Sequence, residues 1–488
     1  MRRLKPLPTL LLFGVTLAPA AANVCAQEPQ EPPPTEEPSE PPTTTPKPAG
    51  RGLPGMDDQT PDQQDTDSWR PDTTPATGLQ TPTLGSPSLR HSYWVPGAQY
   101  GLMLQSNPFG GTNAGWFATN YLGGNLSLFK EWSHSMLSLN YSGGGVIVSQ
   151  GAQGSGQANG WYQQLQVGQN FQLNRWSWQW SDQFAYLPET QFGFGAGTGL
   201  GLPGVGGPLA PVVGSGLTPD QSILTAEGPR YSNSFVLQGT YLLTRRQSVT
   251  VAGFAGLLHY TQAQNVNSNY YLGSVGYNYA LTKADSIGVS YRFGAYHFPG
   301  QAQAYGDTAV GVSYQRKITQ RMALQVFAGP EFISYRVPID GRTKQTSAVV
   351  NASLTYSFKQ GNITASYIHG LSSGSGVLVG GGLDQITVSA NRRITRLWTA
   401  TGSFGFARNS SLSGATPTVG FPSYDNYFIN LGANRPLGRR MDLALAYTAF
   451  IERTGAAAGC TGTACAADYT QHSITIFVNW HARPFVLE

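Results

Sequence analysis

The chain has 488 residues, enough for several ordinary domains, yet only 11% of them are charged, against about 25% in an average soluble protein. Glycine supplies 60 residues, mean hydropathy is −0.23, and no internal run approaches the ~20 apolar residues of a membrane helix. A helical membrane protein is therefore excluded, whereas low charge without apolar runs is what a strand-built membrane protein shows.

The first element in chain order is an export signal. Arg2, Arg3 and Lys5 give a basic start, Leu10 to Ala22 a short apolar core, and Val24-Cys25-Ala26 a small-residue cleavage site. This assigns 1–26 to a signal peptide and places the mature start near Gln27. A lipoprotein reading of Cys25 is disfavoured, because Ala22-Asn23-Val24 lacks the small residue expected just before a lipidated cysteine.

Residues 27–92 form a different polymer. They hold 15 of the 33 prolines and one clear aromatic, Trp69. Eleven acidic residues against four basic ones leave a net charge of −7. Such a segment buries too little apolar surface to offset chain entropy, so a disordered, acidic, Pro-rich periplasmic linker is expected. The plain reading is a spacer; the functional alternative is a tether that touches peptidoglycan or another periplasmic partner.

From about Asn120 a two-residue rhythm takes over. Val310, Val312 and Tyr314 alternate with Gly311, Ser313 and Gln315, and Ile474, Ile476, Val478 and Trp480 with Ser473, Thr475, Phe477 and Asn479. Period two means strands with one apolar and one polar face. Short connections near 130–134, 174–175, 244–247, 283–285, 317–321, 360–361, 395–396 and 437–440 alternate with longer Gly/Ser/Asn-rich loops. The loops fall at 150–159, 189–228, 262–267, 299–304, 338–344, 372–382, 409–422 and 453–468. Strict alternation of short turns and long loops belongs to antiparallel up-and-down barrels.

Seventeen strands follow from that alternation, and returning the chain to its starting side requires one more, over Ala98–Ser106. The predicted fold is all-β: a transmembrane up-and-down antiparallel β-barrel of about 18 strands over 93–488, with 16 the second choice. Trp132, Trp176, Trp398 and Trp480 fall near inner strand ends, where aromatic girdles meet headgroups. One segment resists: alternation through Trp176–Phe184 puts Asp182 on the lipid face, and a bulge that redirects it is expected. Region 93–488 carries 23 basic and 15 acidic residues, and several cations crowd the short turns, where they serve either turn solubility or contact with anionic headgroups.

This architecture resembles Gram-negative outer-membrane porin-like barrels, although no family-specific motif supports the likeness. The resemblance implies an outer-membrane location in a Gram-negative bacterium, contact with outer-membrane lipid, and, by analogy, a homotrimer. In such barrels the third outer loop folds inward to narrow the channel; the corresponding loop here is a candidate to narrow the pore, to cap it, or to lie outside. Here that loop spans 189–228, is rich in Gly and Pro, and bears charge only at Glu189, Asp220 and Glu227. The chain departs from the common pattern in its ending, since Phe485 is followed by Val486-Leu487-Glu488 rather than closing on an aromatic residue.

A barrel of 16 to 18 strands leaves an aqueous channel. The inward faces read as small and neutral, with Asn140, Gln166 and Asn391 representative, and the candidate luminal charges are Arg292, Glu331 and Asp442. Weak ion selectivity follows, because rings of one charge are what make a pore selective. The seven histidines are scattered and no nucleophile elbow or phosphate cradle occurs. No catalytic, cofactor or metal site is expected, and nothing points to nucleic acid.

The function read from sequence is passive diffusion of small hydrophilic solutes through a water-filled, weakly selective lumen. Alternatives are a conduit for polysaccharide or other polymer export with periplasmic partners, and a structural or adhesin barrel. Cys460 and Cys465, close together between two strand candidates of an exported chain, are expected to form a disulfide. Intact mass spectrometry of the exported protein should show a chain beginning at Gln27 with one disulfide. A lipidated Cys25 or two free thiols would contradict this reading.

Overall fold

The computed structural model describes residues 92–106, 115–148, 159–187, 193–194, 223–224, 229–261, 265–339, 341–373, 379–412, 423–454 and 469–487. The signal and linker segments, the loop acids Glu189, Asp220 and Glu227, and both cysteines of the expected disulfide lie outside them. Among the described residues, eighteen long strands form one antiparallel sheet. They are β1 (Ser92–Ser106), β2 (Trp116–Glu131), β3 (Ser135–Val148), β4 (Gly160–Gln172), β5 (Trp176–Leu187) and β6 (Arg230–Thr244). Next come β7 (Gln247–Tyr260), β8 (Ser268–Ala280), β9 (Asp285–His297), β10 (Ala304–Thr319), β11 (Met322–Ile339) and β12 (Arg342–Phe358). The last are β13 (Gly361–Ser372), β14 (Gly381–Arg393), β15 (Thr399–Ser411), β16 (Ser423–Pro436), β17 (Met441–Thr454) and β18 (Tyr469–His481).

Each strand pairs with its sequence neighbours, and β18 pairs with β1 from Gly97↔His481 to Ser106↔His472. The sheet is therefore closed and has no free edge, the condition a strand-built protein must meet in hydrocarbon. The last stave is broken after His481 and resumes at Phe485–Leu487, which pairs with Ser92–Trp94. Phe485 stacks on Trp94 at 4.6 Å. Phe485–Leu487 is thus part of the closure seam.

Alternation sorts the two faces of the wall. Val289, Tyr291, Phe293, Val310, Val312, Ile386, Ile474 and Ile476 point outward and are exposed, which in water would be costly and in a bilayer is the required lining. A 14-residue strand climbs roughly 35 Å at a tilt near 40°, enough to cross an apolar band about 25 Å tall. Exposed Trp132, Trp176 and Trp480 sit at the short-turn end, and Trp116 and Trp161 at the long-loop end. Both chain ends of the barrel lie on the short-turn side, the periplasmic side in barrels of this type.

Three details differ from the sequence reading. Strand β1 begins at Ser92, because Tyr93–Pro96 pairs with Leu126–Phe129 in β2 and Ser92–Trp94 with the terminal strand. The expected loop at 338–344 is a tight turn: Ile339 pairs with Arg342, and Gly341 has φ 74°, a left-handed conformation that costs glycine little. The bulge expected around Asp182 is absent. The β4–β5 and β5–β6 registers run through Asp182 without a break, leaving its carboxylate on the outward face, where Asn233 Nδ2 donates to it at 2.8 Å. A satisfying partner on the next strand made redirection unnecessary.

A row of outward polar residues crosses the loop-side end of β13–β16. His369 Nδ1 lies 2.6 Å from Asp384 Oδ1, and Arg408 holds Asp425 through two bonds of 2.7 and 2.9 Å. Arg408 stands three residues from its strand end. There an outward arginine costs only about 0–1 kcal/mol, against 2–4 at the midplane, so this row marks the upper border of the apolar band.

Inside the closure seam, aromatic rings fill space that glycines leave. Phe477 lies flat over Gly101, where a Cβ would overlap the ring, and Tyr121 packs on Phe477 and Tyr162 at 5.8 Å. Gly101→Val should displace Phe477 and lower stability by roughly 1–3 kcal/mol, the usual cost of overpacking. The urea midpoint followed by tryptophan fluorescence in micelles measures this, with heat-modifiable gel migration checking the fold. An unchanged midpoint would show that the ring does not support the seam.

Candidate functional site

The inner wall is the natural place to look for function, since strand alternation delivers every second side chain to it. Eighteen strands spaced ~4.8 Å apart and tilted ~40° make a backbone ring roughly 35 Å across. Wall side chains alone do not bury one another across such a width. The degree of inward burial therefore reports where chain leans into the lumen.

Burial is uneven. Most inward residues in the loop-side half are buried, among them Tyr121, Tyr162, Tyr296, Asn409, Asn426 and Glu452. On β7–β11 they form a packed aromatic layer: Phe254, Tyr270, Leu272, Tyr296, Tyr305, Ile333 and Tyr335, joined by Phe298. The connection after β13 reaches this layer, for Tyr305 OH donates to the Val379 carbonyl at 2.5 Å and Val379 packs against the cluster. Since β11, β12 and β13 separate β10 from β14, Val379, just before β14, reaches inward over the wall. The third outer loop, 189–228, the candidate constriction, lies outside the described residues apart from a two-residue bridge of Gly193–Phe194 with Ile223–Leu224.

Just below the aromatic layer sits an ion triad. Arg292 Nη2 donates to Asp307 Oδ2 at 2.8 Å and to Glu331 Oε1 at 2.6 Å, and both carboxylate side chains are fully buried. Asp307 lies one strand from Arg292 and Glu331 two, which the cross-strand registers Arg292↔Ala309 and Ala309↔Glu331 bring to one level. Gly294 leaves room for the Asp307 carboxylate, which a Cβ there would strike. Asp307 carried no signal of its own in sequence. Only a correct β9–β10 register shows that it faces the same way as Arg292.

The remaining sequence candidates point inward at other heights. Asn140 is buried near Ser142, to which Gln99 donates at 2.9 Å while also donating to Tyr162 OH at 2.5 Å. Gln166 and Asn391 are half-buried in the turn-side half, and the Asn391 side-chain oxygen accepts from the Asn362 backbone N–H at 3.0 Å. Asp442 lies 3.5 Å from His481 Nε2. Along the turn-side parts of β4–β5 and β12–β16 several inward positions stay open, with Gln179, Thr399, Thr401 and Asn434 exposed, while Ser181 and Thr355 are buried. The structure thus groups Arg292 with Glu331, sets Asn140 opposite Gln166 across β3 and β4, and leaves Asn391 and Asp442 apart.

Of the histidines, His369 and His472 face outward beside Asp384 and Tyr447, and His481 faces inward beside Asp442. Among the described residues no group of three His, Cys, Asp or Glu side chains is placed to hold a metal ion. The resulting chamber is mostly uncharged and polar on the turn side, with Asp442, His481 and Arg393 at the strand ends, and is lined by paired charges and aromatic rings on the loop side.

No protein-family model matches the sequence, and no curated protein matches it. Several solved structures are similar. The outer membrane protein OpdK from Pseudomonas aeruginosa shares 9% identity and a TM-score of 0.41, covering 81% of this chain and 100% of its own. OccAB3 from Acinetobacter baumannii gives 9% and 0.39 over 81% of this chain and 100% of its own. The ferric citrate transporter FecA gives 11% and 0.37 over 75% of this chain and 60% of its own. Likeness at this level transfers neither solute nor partner. The fold itself, a closed, porin-like eighteen-stranded barrel with an apolar exterior, stands on the chain's own strand pairing.

Arg292→Ala should leave two buried carboxylates facing each other and cost roughly 3–5 kcal/mol, as loss of one partner of a buried ion pair does. Arg292→Met combined with Asp307→Asn and Glu331→Gln should recover most of that loss. Urea midpoints of the single and triple variants provide the comparison. A single variant as stable as the parent would mean that the triad is hydrated and not structural.

Proposed function

We propose that this protein is an outer-membrane channel through which small hydrophilic solutes diffuse passively, with weak charge selectivity. The observation that carries this reading is the open, neutral stretch of inner wall on β4–β5 and β12–β16. Gln166, Gln179, Asn391, Thr399 and Thr401 offer hydrogen bonds without net charge. Such a lining replaces part of a solute's hydration without trapping it, which conduction requires.

The charges within the lumen support weak selectivity. Arg292 is held between Asp307 and Glu331, and Asp442 sits beside His481, so no ring of one sign lines the path. The aromatic layer beneath the outer loops narrows the loop-side half and sets the size limit, with 189–228 as a further restriction bearing Glu189, Asp220 and Glu227 at its ends.

Planar-bilayer recording tests this. Purified protein should give open steps with a reversal potential near zero in a potassium chloride gradient, and deletion of 189–228 should enlarge the steps. Strong selectivity for one ion would contradict the neutral lining. Barrels that conduct only after the deletion favour a gated conduit for polymers, and silence in both forms favours a structural or adhesin role. Either result would replace passive diffusion.

A further inference from the structure

The short-turn rim repeats one small device. An exposed aliphatic residue at the strand end is followed two positions later by a cation: Leu173 and Arg175, Leu243 and Arg245, Leu281 and Lys283, Ile394 and Arg396, Leu437 and Arg439. The turn after β10 repeats it with one extra residue, Ile318 then Arg321. These aliphatic side chains are 42–60% exposed.

Charge is sorted to the same rim. Fifteen Lys and Arg but only three carboxylates, Glu131, Asp285 and Asp442, lie within four residues of the eight short turns. Cations and aromatic anchors share one level, for Lys130 Nζ lies 5.4 Å from the Trp132 ring and the Arg435 guanidinium 5.4 Å from that of Trp398. Tryptophan belts mark the headgroup plane. A cation beside one stands well within the ~8 Å screening length of a lipid phosphate at physiological salt.

From this placement we propose that the short-turn rim is a collar for anionic phospholipid, the aliphatic residues entering the acyl boundary while the cations two positions on hold headgroup phosphates of the periplasmic leaflet. Solubility alone would call for polar residues at Leu173, Leu243, Leu281 and Leu437. A soluble anionic partner would use the cations but leave the aliphatic members in water. Only a surface that is oily below and negative above satisfies both halves of the repeat. Each cation near such a surface adds a small attraction, so the collar selects lipid by many weak contacts rather than one pocket.

The test is electron spin resonance of the full-length protein in phosphatidylcholine vesicles doped with spin-labelled phosphatidylglycerol or spin-labelled phosphatidylcholine. The motionally restricted fraction should favour phosphatidylglycerol at least threefold at low salt and fall toward parity in 1 M sodium chloride. Replacing Arg175, Arg245, Arg246, Arg396, Arg439 and Arg440 by Gln should abolish the preference while heat-modifiable migration shows an intact barrel. Inorganic phosphate at matched ionic strength should act no more strongly than chloride. Parity in the parent protein, a preference indifferent to salt or to the six substitutions, or specific displacement by free phosphate would each overturn the proposal. So would parity combined with substitution-sensitive pelleting on purified peptidoglycan, which would assign the rim to the cell-wall polymer.

Discussion

Closure of the sheet through β1 and β18 is the constraint on which the rest of this molecule depends. A backbone N–H or C=O left unpaired in hydrocarbon costs several kcal/mol, and one open seam would expose a whole row of them. The chain meets this at both of its barrel-forming ends. Ser92–Ser106 is held on one side by β2 and on the other by β18 and the short strand Phe485–Leu487. Phe477, Tyr121 and Tyr162 then pack the inside of that seam over glycines. Once the ring is shut, the two faces of every strand are committed to oil and to lumen, and the function can only lie on the inner one or at the rims.

Much of this was legible in the residues because period two and turn chemistry are local signals. Ile474–Trp480 and Val310–Gln315 declare their faces without reference to any partner, and the alternation of turns and loops supplied the parity argument that placed a strand before Ser106. What failed to show is equally physical. Pro338 and Gly341 look like loop residues, yet long paired strands carry the chain out to a two-residue turn. Asp182 looked misplaced because its partner Asn233 is 51 positions away. The Arg292 triad required knowing which residues face each other across β9, β10 and β11, a matter of register that no single strand encodes.

The lumen that results is not uniform. Its loop-side half is packed, with Tyr305 tied to the connection after β13, while its turn-side half offers open amides and hydroxyls. Sequence alone suggested small polar side chains along the whole wall, because pattern reveals direction but not what leans in from above. The exterior is likewise graded. Paired outward charges such as Arg408 and Asp425 end the apolar band at one border, and alternating aliphatic and cationic turn residues end it at the other. The proposed solute path and lipid collar thus rest on the same dyad repeat, read from inside and from outside.

The central claim is that consecutive residues of one strand face water and lipid in turn. Single cysteines placed through Ile386–Asn391 of β14, in a background with Cys460 and Cys465 replaced by Ser, report this directly when treated with a membrane-impermeant maleimide in vesicles. Positions 387, 389 and 391 should label and 386, 388 and 390 should not. Uniform labelling, or labelling with a period near three or four residues, would contradict a closed barrel with a wet interior and an oily exterior.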